Sequence, residues 1–460
     1  MMRSMWSAVA GLKTHQLEMD VIGNNIANVN TTAYKSQATG FQDVLYQTVK
    51  EGTGAGQRVA ATNIAQVGLG SKLGSVYTNI AAQGSAITTN NVMDLMITGP
   101  SFFIISPDSQ ILNYGRDGSF SIDAEGDLVT QNNGYYVMGV MGDGGVADGA
   151  AVTKLRLIDR KPVTETDEDG NITTKMVDYM DGEGTKATYM KGNLDSEDAT
   201  LAEGKALLLE VYGDDGGKYT LKFNITDSGD DDISTFNMKL ASVADEYGNP
   251  VGGKDTNEIE LAYDKHTGII SSATKDGSTI TYSKNEKGKV VPSGSLTMNV
   301  EGVGSFELDL SNTTNFAGGS TSHASTIYAY KGDTKGLQKG FPRGELTGLS
   351  FGTDGSVYGT YSNGQTIKKA QIAVAEFSNA MGLEKVGDNL YQASLNSGAA
   401  MIQDITKDGG YMNSGVLEGS NIDLAKEFTD MITTQRGFQA NSRVITTSDE
   451  MLQILKGLKR

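Results

Sequence analysis

Apolar residues follow two rhythms along this chain, a helical one at both ends and an alternating one between them. From about Arg3 to Asn28, Met5, Leu12, Met19 and Ile26 recur every seven residues, and Met2, Trp6, Val9 and Ile22 widen the stripe. Such a spacing keeps side chains on one face of a helix, and a helix with that seam buries it against another helix. Gln16 and Gly23 weaken the seam, and the helix is expected to fray between Asn28 and Thr32. The far end mirrors this pattern. Leu424, Met431, Phe438, Ile445 and Leu452 again repeat at seven, with Phe428, Val444, Met451, Leu455 and Leu458 alongside. Ser420 and Asp423 read as a capping box that opens this helix, and Lys456, Lys459 and Arg460 suit the negative end of its dipole. Unbroken to Leu458, it would run roughly 55–60 Å at about 1.5 Å per residue.

Between the ends the period drops to two. Leu207, Leu209 and Val211 alternate, a turn follows at 213–217, and Tyr219, Leu221, Phe223 and Ile225 alternate on the return, which predicts a hairpin. Leu296, Met298 and Val300, then Phe306, Leu308 and Leu310, repeat the theme around Gly302 and Gly304. The stretch from about Lys50 to Ser71 is rich in Gly, Ala and Thr with little periodicity and reads as a linker or extended arm. Each terminal helix is marginal alone. The predicted fold is therefore multidomain: mainly β domains inserted between N- and C-terminal α-helices that pair as a coiled-coil-like inner domain. A leftover apolar face would serve neighbouring subunits. Periodicity alone fits an intramolecular helical hairpin with no polymer role equally well.

Composition narrows the chemistry. With 56 acidic against 38 basic residues the formal charge is −18, a field that repels phosphate backbones and anionic lipid, so neither nucleic acid nor membrane is an expected partner. The chain has no Cys, which removes disulfides, thiolate metal sites and thiol catalysis together. His15, His266 and His323 are too scattered to suggest an imidazole metal site. Asp167, Asp169 and Asn171 alternate as calcium ligands can, but the loop lacks the sixth-place Gly and closing Glu of an EF-hand, so solvated turns are expected there. Gly-rich stretches at 52–56 and 68–70 lack the Lys and Ser/Thr ending of a phosphate cradle. Carboxylates are plentiful enough for glycosidase chemistry, but no cleft-forming aromatic cluster accompanies them. No catalytic residue, cofactor or metal is expected. Nothing at the N-terminus reads as a signal peptide, and no apolar run approaches a membrane span.

Several segments carry a resemblance. SAVAGLKTHQ at 7–16 and MDVIGNNIANVNT at 19–31 look like the N-terminal signature of bacterial flagellar rod and hook axial proteins. DLMITGPSFF at 94–103 resembles the family's first core strand, and YGRDGSF at 114–120 its aromatic-Gly-Phe hairpin. YSNGQT at 361–366 and AEFSNAMGL at 375–383 resemble the returning half of the same domain. The most specific match is LEGSNIDLAKEFTDMI at 417–432 followed by QRGFQANSR at 435–443. Three positions depart from the pattern: TTAYK stands at 31–35 where the family commonly has Thr-x-Gly-Phe-Lys, Ala380 where Pro is common, and Trp6 where a smaller aromatic is usual.

The resemblance implies an inner helical polymerisation domain from 1–35 with 418–460, an arm at 36–80, a β-rich core domain from 81–145 with 344–417, and a β-rich outer insertion at 146–343. It implies a polymerisation seam of Met5, Val9, Leu12, Met19, Ile26, Leu424, Phe428, Met431, Phe438, Ile445 and Leu452. Asn24, Asn25, Asn28, Asn30 and Thr31 would form the turn joining the inner helix to the next domain. The implied function is that of a non-enzymatic hook subunit that self-polymerises into a helical tube. Its implied partners are rod and hook–filament junction proteins, a hook cap and the flagellar type III export apparatus, which would place it outside the cell without a cleavable signal. The roughly 200-residue insertion favours the hook over the shorter distal rod protein of the same family. From a different class, a secreted acidic β-domain adhesin or polysaccharide-acting enzyme would not need matched seams at its two ends.

Overall fold

The computed structural model describes residues 2–54, 60–108, 110–166, 172–228, 234–252, 258–317 and 323–457. It is mostly β, with a helix at each end, Met2–Ala27 and Leu424–Gly457. Two compact units divide the chain: Met1–Asp159 with Leu349–Gly359 and Ile367–Arg460, and Arg160–Gly348 with Thr360–Thr366. Asp167, Asp169 and Asn171 lie outside the described residues, as do Leu458, Lys459, Arg460 and part of the 52–56 glycine run.

In the first unit the strand Phe102–Ser106 is central. It pairs with Asn113–Gly115, Tyr136–Met141 and Val374–Glu376, all antiparallel. Its sequence, FFIIS, does not alternate because both faces are buried, and such strands read as continuous apolar runs. Phe103 and Ile105 pack with Phe120, Leu128, Val137 and Ile372 on one side. Phe102 and Ile104 pack with Tyr114, Phe377 and Tyr391 on the other. Edge-to-face rings fix this second layer, with Tyr114 4.7 Å from Phe377 between centroids.

The 36–80 segment folds back on itself as a two-stranded ribbon. Gln37–Asp43 pairs with Ser71–Thr78, and Tyr46–Lys50 with Ala65–Gly68. Both strands of the outer pair are exposed along their whole length. Ala65–Gly68 within the weakly periodic stretch is exposed throughout, so no alternation marks an inner side there.

The second unit follows the period-two pattern closely. Lys205–Tyr212 and Lys218–Asp227 form the predicted hairpin, with Leu207 opposite Phe223, Leu209 opposite Leu221 and Val211 opposite Tyr219. It opens a seven-stranded antiparallel meander in sequence order. Leu296–Val300 pairs with Gly304–Thr314, Met298 facing Phe306, in a separate four-stranded sheet. Leu207, Leu209, Phe223, Met298, Phe306 and Leu310 all belong to one buried core.

Candidate assembly site

The terminal helices lie side by side and antiparallel. Asn25 Nδ2 reaches Glu427 Oε1 at 3.1 Å near one end. Further along, a Cβ on Gly437 would lie 2.7 Å from His15 Nε2, and one on Gly11 would lie 2.6 Å from Asn441 Nδ2. The residues buried on the C-terminal helix are Glu427, Thr434 and Ser448, and those on the N-terminal helix are Ala8, Gly11, Thr14, Ile22 and Asn25. Glu427, Thr434, Asn441 and Ser448 themselves recur every seven residues.

This corrects the expected seam. The heptad stripe does not form the core between the helices: a small and polar stripe does. Leu424, Phe428, Phe438 and Leu452 are exposed, Phe428 by 50%. Met5, Val9, Leu12, Met19, Ile26, Met431 and Ile445 are only half-buried. Small side chains let the two backbones approach closely, and the large apolar ones are turned outward as a result. Trp6, Leu17, Ile432, Val444, Met451 and Leu455 join them on the exterior.

The start of the C-terminal helix also differs from expectation. Asp423 caps it, its Oδ1 accepting from Ala425 N at 3.0 Å and Lys426 N at 3.3 Å. Ser420 lies three residues earlier and its buried Oγ has no hydrogen-bond partner among the described residues. The helix therefore begins at Leu424, and its 34 residues span about 51 Å. The N-terminal helix ends at Ala27, just before the stretch expected to fray.

The Asn-rich turn is built from side chains that replace lost helix bonds. Asn28 Nδ2 donates to Asn24 O at 2.9 Å, and Thr31 Oγ1 to Asn28 Oδ1 at 3.1 Å. Asn25 is buried and grips the next strand by both groups: its Oδ1 accepts from Gln37 N at 2.9 Å and its Nδ2 donates to Gln37 O at 2.8 Å. Asn24 Nδ2 donates to the Tyr34 hydroxyl at 3.2 Å, while Asn30 is exposed. Ala33, where the family commonly has Gly, sits in the left-handed region at φ 55° and is buried.

Three motifs then converge on one buried ionic cluster. Lys35 from the turn, Arg116 from the hairpin and Glu418 from the C-terminal motif are each no more than 3% exposed. Lys35 Nζ donates to Glu418 Oε1 at 2.6 Å and to Ala82 O at 2.7 Å. Gly84 N donates to the same Oε1 at 2.9 Å, and Ala33 N donates to Glu418 O at 2.8 Å. Arg116 Nη1 stands 3.7 Å from Glu418 Oε2, its Nη2 donates to Gly99 O at 2.7 Å, and its guanidinium lies over the Phe102 ring. Burial pushes the Lys35 amine below its ordinary pKa, against the pull of Glu418. Asn421 completes the joint: its Oδ1 accepts from Ser36 N at 2.8 Å and its Nδ2 donates to Asn79 O at 2.9 Å. A Cβ on Gly84 would meet Gly419 O at 1.8 Å, so only glycine allows these two backbones to pass.

Lys35, Arg116 and Glu418 were in view as motif letters but carried no expected role. A Lys, an Arg and a Glu each set among small or aromatic residues is the signal that could have marked them, since a charge in such company is buried only with a partner. The cluster presents no nucleophile to solvent and joins the helical ends to the β core.

Three family models match the chain. "Flagella basal body rod protein" covers residues 5–35, "Flagellar hook protein FlgE/F/G D1 domain" covers 96–174, and "Flagellar basal body rod FlgEFG protein C-terminal" covers 413–458. The flagellar hook protein FlgE of Borreliella burgdorferi is 33% identical over the full length of both chains. That of Treponema pallidum is 32% identical, again over all of both chains. The flagellar basal-body rod protein FlgG of Bacillus subtilis is 26% identical over the whole of each. Full-length identity of this degree, with the rod-and-hook domains falling on the helical ends and on the β core they clasp, shows that this chain belongs to the flagellar hook protein family.

Proposed function

We propose that the chain is a structural, non-enzymatic subunit of the bacterial flagellar hook, polymerising into the curved tube that joins rod to filament and transmits motor torque. The observation that carries this reading is the outward-turned apolar face of the two terminal helices. Trp6 is 67% exposed, Ile432 59% and Phe428 50%, on elements already paired with each other. Exposed large apolar side chains in this number on one paired element mark an interaction site. The 36–80 ribbon adds a second such surface, with Leu45 75% and Val49 62% exposed. A lone two-stranded ribbon is marginal in water, and neighbouring copies would cover it.

In this reading 1–35 with 418–460 form a coiled-coil-like inner domain, 36–80 an arm, 81–145 with 344–417 the core domain, and 146–343 the outer insertion. Met5, Val9, Leu12, Leu424, Phe428 and Phe438, with the rest of the heptad stripe, meet adjacent subunits. The contacts are heterologous and do not close, which yields a helical tube instead of a ring. Partners at the two ends are rod and hook–filament junction proteins. Assembly proceeds under a hook cap after passage through the flagellar type III export apparatus. Among the described residues no helix is long and apolar enough to cross a membrane.

Electron microscopy of a strain lacking the chain tests this directly. Basal rods without hooks or filaments are expected, and filaments still attached would overturn the reading. Loss of the distal rod as well would instead favour the rod protein, the reading that the Bacillus relative supports.

A further inference from the structure

The four-stranded sheet of the second unit ends on the strand Tyr328–Lys331, which pairs with Ala187–Asn193 on one side and with no other described strand. Register sets Tyr330 opposite Tyr189 and Tyr328 opposite Lys191, so these four side chains share one face. Met190, between them, points the other way and is fully buried. Tyr189 and Tyr330 stack with centroids 5.1 Å apart and planes 18° from parallel, yet Tyr330 is 44% and Tyr328 61% exposed.

Lys331 at the end of this strand, and Lys335 and Lys339 of the loop that follows, line a cavity of about 400 Å³ together with the stacked rings. Lys331 Nζ lies 4.3 Å from the centroid of the Tyr212 ring. The one carboxylate lining this cavity, Asp333, is already engaged by the loop backbone, accepting from Lys335 N at 2.9 Å and Leu337 N at 2.7 Å. Among the described residues none of Lys191, Lys335 and Lys339 makes an ion pair. A chain of net charge −18 thus keeps an aromatic face ringed by unmatched cations.

We propose that this face is a docking surface for a second copy of the chain, taking the neighbour's carboxylate-bearing loops against the lysines and covering the tyrosine pair. Charge complementarity selects that occupant: with 56 acidic and 38 basic residues, a neighbouring copy offers carboxylates in excess. Stacked tyrosines give rigid contact area at little entropic cost, as interface anchors do. The strand pairs with no second described strand, and Lys331 at its end keeps any sheet extension onto a neighbour short. The inference rests on the hook reading and deepens it by naming one subunit contact and its chemistry.

The test uses full-length chain. Isotope-labelled and unlabelled copies are mixed, polymerised and treated with a zero-length carbodiimide, and crosslinked peptides are mapped by mass spectrometry. Hybrid peptides joining Lys335 or Lys339 of one copy to Asp or Glu of another are expected. Their yield should fall several-fold between about 0.05 and 0.5 M salt, as screening shortens the reach of exposed charges. The double variant K335E/K339E removes the crosslinking amines, so it is read by sedimentation instead: the concentration needed to polymerise should rise at least about threefold with an unchanged melting curve. Polymers in which these lysines crosslink only within one copy, or not at all, overturn the inference and leave the hook reading standing. Failure of the native chain to polymerise removes both.

Discussion

Replacing Glu418 with Gln should destabilise the first unit far more than any surface change, because it leaves Lys35 and Arg116 buried without a counter-ion. The attraction between Lys35 Nζ and Glu418 Oε1 at 2.6 Å is about 6 kcal/mol at an effective dielectric of about 20. Several kcal/mol of desolvation per ion oppose it, and the depressed Lys35 pKa shows desolvation prevailing at the amine. The pair is therefore worth little in net terms, but removing one partner costs about 3–5 kcal/mol because the other charge stays buried. In urea, with a slope of about 2–3 kcal/mol/M, the transition of the first unit should move down by about 1–2 M. Two units need not unfold together, so the reading should come from exchange of the Ala33 and Gly84 amides, both bonded to Glu418. Lys35→Met should cost a similar amount. The double variant should lose less than the sum by more than about 1 kcal/mol. A shift below about 0.2 M for Glu418→Gln, or simple additivity, would refute the argument.

Three further perturbations probe the helices and the turn. Gly11→Leu should separate the helices and abolish polymerisation in a sedimentation assay, whereas Gly11→Ala paired with Asn441→Ala should polymerise normally, because the obstructing atoms belong to the Asn441 side chain. Burial holds the Glu427 carboxyl above its ordinary value, so its uncharged form suits the folded state. Its stabilising contribution is full below the ordinary carboxylate pKa and is lost as pH rises through the elevated folded value. Helix melting followed by circular dichroism should accordingly rise on acidification from about pH 7, and Glu427→Gln, which keeps an acceptor for Asn25, should raise the neutral-pH melting point and flatten the dependence. At Ala33, Gly would relieve left-handed strain of about 1–2 kcal/mol but lose a buried methyl and stiffen the unfolded chain less, so a net change within about 1 kcal/mol is expected. Ala33→Val, β-branched at φ 55°, should cost more than about 2 kcal/mol in the same urea experiment.

What could be read from the sequence was whatever repeats locally. The hairpin of Leu207, Leu209 and Val211 with Tyr219, Leu221 and Phe223 was legible as two alternating strands about a glycine turn, because one buried face imposes alternation. The two terminal helices were legible for the same reason. Their mutual contact was not, since the C-terminal helix carries two stripes of period seven. Hydrophobicity singles out Leu424, Met431 and Phe438, yet the helices meet on Glu427, Thr434 and Ser448. Burial inside one molecule and burial between molecules leave the same mark on a sequence. The ionic cluster was illegible for a different reason: Lys35 and Glu418 are 383 positions apart, and no local pattern ties them. Ser420 offered a plausible cap, but the cap belongs to Asp423 because 417–421 is held in the joint by Gly84, Lys35 and Ser36.

The close approach of the helices at Gly11 and Gly437 has a mechanical corollary. Two slender rods in which the side chain of each lies against a glycine of the other, His15 on Gly437 and Asn441 on Gly11, and which are pinned at one end through Asn25 and Glu427, bend and twist as a single strut stiffer than both together. A load applied to the β core enters that strut through a joint whose buried ions cannot slide past one another without losing their counter-charges. Torsion delivered at one end is thereby handed on instead of being absorbed as slack.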